Sequence, residues 1–417
     1  MRKWKDCILA DLGEIIGGAT PSTTNKNYYG GDIVWITPKD LSTLQGRFIH
    51  HGMRNITREG LNSCSARLMP KHSILFTSRA PIGYVAITGN EVCTNQGFKS
   101  IIPNANTDYL FLYYLLVHNR NRIENMGSGT TFKEISGSVM KDITVSVPSD
   151  IAEQRIIARI LAALDDKIEN NKAINNHLEQ IAQAIFKSWF VDFEPFGGKM
   201  PKDWREGTFS DLLSTIIGGD WGKDTSTSNN TQKVYCIRGT DIDNINAGNK
   251  GKMPIRYIFP KNYADKQLSV GDIVVEISGG SPTQSTGRCA LITQSLLDRY
   301  DFGMVCTNFC RAIKPLEGYS SFVYFYWKYL YDRGIMFSYE NGTTGIKNLN
   351  ISDFLKIEPI IIPPIKVAFY FTEAVGILID MIFSNSLANE NLAVIRDTLL
   401  PHLMSGELSV TDLEDDK

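Results

Sequence analysis

Five short motifs occur twice in this chain, in the same order and about 200 residues apart. DLGEIIGG (11–18) returns as DLLSTIIGG (211–219), VWITPKDL (34–41) as VYCIRGTDI (234–242), and CTNQGFKSIIP (93–103) as CTNFCRAIKP (306–315). GSGTTFKEI (127–135) meets NGTTGIKNL (341–349), and TVSVP (144–148) meets IIIP (360–363). The period is far longer than that of a solenoid repeat, so a whole domain has been duplicated. Each copy is long enough to bury its own core.

Within a copy the pattern is mixed α+β. DIVWI (32–36), SILFT (73–77), GYVAI (83–87) and FKSII (98–102) are short β-rich runs between clusters of Gly, Pro, Asn and Thr. DYLFLYYLLVHN (108–119) and SFVYFYWKYLYD (321–332) have helix length and many aromatics, expected to pack on the domain's own sheet rather than to stack bases.

Each copy then runs into a long helical stretch. Residues 151–190 contain no Gly or Pro, and apolar residues step 4-3-4-3 along them. The line is Ile157, Leu161, Leu164, Ile168, Asn171, Asn175, Leu178, Ala182, Ile185, Trp189. After Pro363-Pro364 it recurs as Phe371, Val375, Leu378, Ile382, Asn385, Asn389, Leu392, Arg396, Leu399, Leu403. A shift of 214 superimposes the two, asparagines included. A heptad seam tolerates asparagine where another asparagine faces it, and the pair then fixes register. We therefore expect the two helices to pair with each other. The asparagines align in either direction, and an antiparallel coiled coil, with the globular parts related by a pseudo-two-fold axis, is favoured because parallel pairing would crowd both at one end. Ile160, Ile174 and Ile181 flank the first seam; Met381 and Ile395 flank the second. This apolar stripe is wider than two helices need and predicts docking of another subunit, the alternative being packing on the chain's own globular domains.

The expected partition is 1–150 and 196–362 for two globular recognition domains, 151–195 and 363–410 for the long helices, and 411–417 for an acidic tail. Net charge is −2, against indiscriminate coating of nucleic acid. The front is mildly basic, with 16 basic against 12 acidic residues in 1–150; residues 363–417 hold 3 against 9. Unbroken apolar runs of membrane length and a signal-peptide core are absent from the sequence, and seven cysteines without framework spacing fit reduced thiols in a cytoplasm. The nearest approach to a phosphate loop, GGDWGKDT (218–225), has the wrong spacing. The histidines lack metal-ligand spacing, and Cys306 and Cys310 lack a second pair, so neither metal nor cofactor is expected. Asp165 and Asp166 read as solvated charges on the helix. The pattern is that of a binder without an active site, the alternatives being a two-lobed scaffold for protein or sugar and an enzyme with an unrecognised site.

IAEQRIIARILAALDDKIENNKAINNHLEQIAQAIFKSWFVDFEPF (151–196) closely resembles the first conserved region of the specificity subunits of type I restriction–modification enzymes. IRDTLLPHLMSGEL (395–408) resembles the end of their second conserved region, and GGATPSTTNKNYYGGDIVWITPKDL (17–41) the start of one of their target-recognition domains. The second half lacks the TPST segment, and its VYCIRGTDI resembles another class of recognition domain. The two halves should then read different DNA sequences. The resemblance implies a non-catalytic subunit that reads a bipartite double-stranded DNA site, docks two modification subunits on the paired helices, and is completed by two motor–nuclease restriction subunits.

Base reading needs side chains that match base edges, Arg to guanine and Asn or Gln to adenine. On that chemistry the first domain offers Thr37, Lys39, Arg79, Gln96 and Lys99; the second offers Arg238, Thr240, Gln284, Arg288 and Asn308. GSGTT and NGTT, near Lys133 and Lys347, suit phosphate contacts through backbone N–H groups and hydroxyls.

Overall fold

The computed structural model describes residues 4–129, 133–281, 283–342 and 347–410. The acidic stretch 411–417 and the hydroxyl residues Thr130, Thr131, Thr343 and Thr344 lie outside the described residues. The chain divides into two compact units, 1–169 with 391–417, and 170–390. The division falls inside both long helices.

In the first unit a five-stranded sheet has the order Gly13–Gly17, Lys99–Pro103, Ile74–Ser78, Ile82–Thr88, Phe48–Ile49. Arg54–Ile56, Tyr29–Ile36 and Cys93–Thr94 form a smaller sheet, the last two strands parallel. Trp4–Ile8 pairs with Thr144–Pro148 as a separate ribbon. Ile74–Ser78 is buried along its whole length, which is why SILFT lacks the alternation of a one-faced strand. The helix Tyr109–Asn125 starts where Asp108 accepts from Phe111 N at 3.0 Å, and it buries Phe111, Leu112 and Leu115 in the core.

The second unit repeats this order. Its larger sheet runs Leu213–Gly218, Cys310–Pro315, Ile273–Glu276, Cys289–Leu291. Ile255–Ile258, Gln232–Ile237 and Met304–Cys306 form the smaller sheet, again with one parallel pair. Arg205–Thr208 with Pro359–Ile362 makes the ribbon. The aromatic helix Ser320–Asp332 buries Phe322, Phe325 and Trp327 against this sheet. Both aromatic helices thus place their rings in a core, not on a stacking platform.

The long helices span Ile151–Phe190 and Ile365–Met404. Asp150 opens the first by accepting from Ala152 N at 2.9 Å; Pro364, which needs no backbone donor, opens the second. In the second unit Asn171 Nδ2 donates to Asn389 Oδ1 at 2.8 Å, and Asn385 Nδ2 to Asn175 Oδ1 at 2.9 Å. Asn175 Nδ2 also donates to the Ile382 carbonyl at 3.0 Å and to Ser386 Oγ at 3.1 Å. Numbers fall along one helix as they rise along the other, so these segments run antiparallel. Each pair satisfies amides that burial would otherwise strand.

Two details depart from the sequence expectation. After Ala182 the buried line slides by one residue: Phe186 and Phe190 are buried, whereas Ile185 and Trp189 are only half-buried. The cause is a ring cluster, in which Phe186 and Phe190 meet Phe322 and Phe371 at centroid distances of 4.8–6.2 Å. Large aromatics bury more area than an ideal heptad step would recover. Asp165 is the second departure. It is 6% exposed, accepts from Tyr114 Oη at 2.6 Å and pairs with Arg396 at 2.5 Å, while Asp166 pairs with the buried Arg47. Asp165 is thus a structural charge under the globular part of the first unit, whereas Asp166 stays 68% exposed as expected.

The second long helix also carries more apolar surface than unbroken runs reveal. One window has a mean hydropathy of 1.6, so this helix has the length and composition of a membrane span. Its Phe371 and Val375 are core residues, and Asn389 lies buried in the seam. The surplus is exposed: Phe369 and Tyr370 are each 50% and Ile377 is 65% exposed.

Candidate nucleic-acid interface

In each unit three of the repeated motifs, IIGG, the TPKD or RGTD turn and CTN, are tied together by close backbone contacts. A Cβ on Gly18 would lie 2.0 Å from the Asn95 carbonyl, and one on Gly219 1.9 Å from the Thr307 carbonyl. The second glycine of each IIGG is therefore required for the CTN turn to approach. The following turns are capped alike: Asp40 accepts from Thr37 N at 2.7 Å, and Asp241 from Arg238 N at 3.0 Å.

These contacts align the two copies and correct the repeat by one residue. Asn95 N donates to the Ile36 carbonyl at 3.0 Å, and Thr307 N to the Ile237 carbonyl at 2.9 Å. Ser78 N donates to the Gly97 carbonyl at 2.8 Å, and Ile277 N to the Phe309 carbonyl at 2.9 Å. Gly17 pairs with Lys99 and Gly218 with Arg311. The matching C-T-N letters are thus out of step in space: Asn308 stands where Gln96 stands, Phe309 where Gly97 does, and Arg311 where Lys99 does. Arg311 was missed in the sequence for this reason, since the letter match pairs Lys99 with Ala312.

In the first unit the chosen residues form a patch. Pro38 is a close neighbour of Gly97, and Ser78 is bonded to both Gly97 and Ile135. Around these backbone ties lie Lys39, exposed on the short helix Pro38–Ser42, and Gln96, whose side chain accepts from Thr20. Arg79 and Lys99 share Glu134, each at 3.6 Å, and Lys133 beside it is exposed. Thr37 Oγ1 is committed to Asp40 at 2.6 Å, so this hydroxyl braces the turn.

In the second unit the three candidate cations, Arg238, Arg288 and Lys347, all have carboxylate partners. Arg238 Nε and Nη2 grip Asp241 at 2.9 and 3.0 Å, leaving the side chain 38% exposed. Arg288 holds Glu276 and Asp243 at 2.7–2.9 Å and is 16% exposed. Lys347 pairs with Glu340 at 2.8 Å. Burial pushes the Glu340 carboxyl up, but bonds from Lys347 and from the Thr286 N–H and hydroxyl outweigh it and hold its pKa below the ordinary value. Gln284 and Asn308 are exposed, and Thr240 sits in the Arg238 turn. These ion pairs orient planar donors while offsetting their charge, which favours specific contact over general attraction.

The residues expected to dock a partner fall into two groups. Ile160 and Ile174 are half-buried, Ile160 against the first core; Ile181, Met381 and Ile395 are 48%, 45% and 47% exposed.

Two copies of one α+β fold, each continued by a long helix and each tying three of its repeated motifs together by backbone contacts, define a duplicated recognition protein. The family model described as type I restriction modification DNA specificity domain matches residues 1–180. The chain is 35% identical to the type I restriction enzyme MjaIX specificity subunit of Methanocaldococcus jannaschii, over 99% of this chain and 95% of that one. It is 26% identical to the HindI specificity subunit of Haemophilus influenzae, over 98% and 100%. A crystal structure of the S subunit from M. genitalium shares the fold, with a TM-score of 0.57, 17% identity and 96% of both chains covered. The chain belongs to the specificity subunits of type I restriction–modification enzymes. Such subunits recognise DNA and are not themselves catalytic.

Proposed function

We propose that the two units are the two readers of a bipartite double-stranded DNA site, each reading one half-site through the face described above. The readers are 1–150 and 196–362, the long helices 151–195 and 363–410 form an antiparallel coiled-coil spacer, and 411–417 is a tail. Gln96 and Asn308 supply carboxamides for adenine, Arg79 and Arg238 guanidiniums for guanine, and Lys39, Lys99, Lys133 and Lys347 hold backbone phosphates. Thr37, Thr240, Gln284 and Arg288 complete the two faces, Thr37 and Arg288 chiefly by bracing them. Asn171, Asn175, Asn385 and Asn389 set the helix register. The stripe of Ile160, Ile174, Ile181, Met381 and Ile395 docks two modification subunits, two restriction subunits complete the enzyme, and the whole works in the cytoplasm where its DNA lies.

The observation that carries this reading is that one face is built twice from the same backbone ties while its side chains differ. A duplicated scaffold with divergent tips suits two sequences read at a set separation. The test is to lengthen the spacer. Four residues inserted after Ala173 add ~6 Å of helix, close to two base-pair steps. Mapping methylated bases in a host carrying this variant should show the same half-sites with a spacer one or two base pairs longer. An unchanged spacer would remove the helices as the ruler.

A further inference from the structure

The turn 307–310 differs from its counterpart in one respect. Cys310 N donates to the Thr307 carbonyl at 2.9 Å, which closes a β-turn with Asn308 and Phe309 at its two corners. Arg311 Nη1 donates to the Asn308 and Cys310 carbonyls at 3.1 and 3.0 Å, and Ile277 N holds the Phe309 carbonyl. The turn is stiff, and its corner side chains project outward. Asn308 is exposed, and the Phe309 ring is 61% exposed. At the equivalent corner the first unit has Gly97, where a Cβ would already stand 3.0 Å from Pro38 Cγ.

A lone exposed ring needs no special explanation on an ordinary surface. This one is held at the tip of the recognition face beside a carboxamide, on a backbone tied at three points. Among the described residues of its own unit, none covers it. Three chemistries meet here: an amide that matches adenine N6 and N7, an apolar ring, and a guanidinium behind them. The apolar feature a base pair offers in the major groove is the thymine 5-methyl group. We propose that Phe309 is a specificity-determining residue that reads a thymine methyl beside the base contacted by Asn308. The first half-site has no such reader, because Gly97 presents no side chain. The inference rests on assigning this face to DNA reading.

The assembled methyltransferase complex is titrated with duplexes carrying the mapped recognition site, with each thymine of the second half-site replaced in turn by deoxyuridine. One replacement should weaken binding by about four-fold, the value of one buried methyl-sized group. Phe309→Ala should bind the thymine and uracil duplexes alike at that position, while Phe309→Leu keeps most of the difference. If Phe309→Ala retains the thymine preference, or weakens all duplexes equally as a wedge between bases would, the inference is overturned. Asn308→Ala separates it from the underlying reading. A loss of adenine discrimination there, with no thymine effect in Phe309→Ala, overturns only the role of Phe309. Silence of both variants overturns the face.

Discussion

Both globular parts hold the long helices through apolar cores, but they differ at one pair of equivalent helix positions. In the first unit Ile157, Leu161 and Leu403 enter the core, and an ionic cluster lies beside them. Arg47 is buried and reaches Asp166 and Glu169 on the first helix and Tyr114 Oη at 3.2 Å; Tyr114 donates to Asp165, which pairs with Arg396 of the second helix. Burial opposes the charge on Arg47, and the bonds from Glu169 and Asp166 outweigh it and raise its pKa. In the second unit Phe186 and Phe190 sit among Phe322, Phe325, Tyr326 and Phe371, while Glu179 and Glu390 of the helices pair with Lys328 and Arg299. The same helix positions are involved. Shifted by 214, Asp165 corresponds to Ile379 and Arg396 to Ala182, both packed against the second unit's core. Duplication has kept topology and backbone ties and exchanged the chemistry at these two positions. A buried ion pair is directional but gains little net energy over apolar side chains of similar volume; removing one partner is what costs.

This contrast orders the predictions. Phe186→Ala should be the most damaging, at about 4 kcal/mol, because it empties the centre of a ring cluster. Hydrogen exchange should show lost protection within 170–390 and little change in 4–129. Arg396→Ala should cost about 3 kcal/mol by denaturant unfolding and loosen the first unit, since Asp165 keeps only Tyr114 as a partner. Asp165→Leu with Arg396→Leu should recover most of that loss and end within about 1 kcal/mol of the parent. Tyr114 retains Arg47 in that variant. A double substitution as costly as Arg396→Ala would mean that the ionic clamp is not exchangeable for the apolar one, and the comparison would fail. Smaller still is Arg311→Ala, which should lower the slope of log binding constant against log salt by about 1 if this cation meets a phosphate. Lys99→Ala should match it from the other unit.

What could be read from the sequence, and what could not, follows a physical line. The duplication and the four seam asparagines were legible because they are periodic, and periodicity survives without knowledge of tertiary neighbours. The strands around SILFT and IIIP were legible as local β-rich runs between turn residues. Three features were not. The burial of Asp165 depends on Arg47 and Arg396, distant in sequence. The slide from Ile185 to Phe186 depends on a ring cluster contributed by the second unit's own helix. The one-residue offset between the C-T-N turns hid Arg311 and paired Asn308 with the wrong neighbour. Letters repeat by descent, whereas side chains are placed by backbone geometry, and here the two disagree by one position.

The central claim is that each unit reads its own half-site through the same position in the fold. Gln96→Ala and Asn308→Ala test it most directly, each introduced alone and followed by mapping methylated bases across a host genome. The account predicts that Gln96→Ala relaxes one base pair of one half-site, Asn308→Ala relaxes one base pair of the other, and each costs about 1–3 kcal/mol of discrimination. If both substitutions relax the same half-site, or if either weakens methylation evenly at both, the two faces are not independent readers.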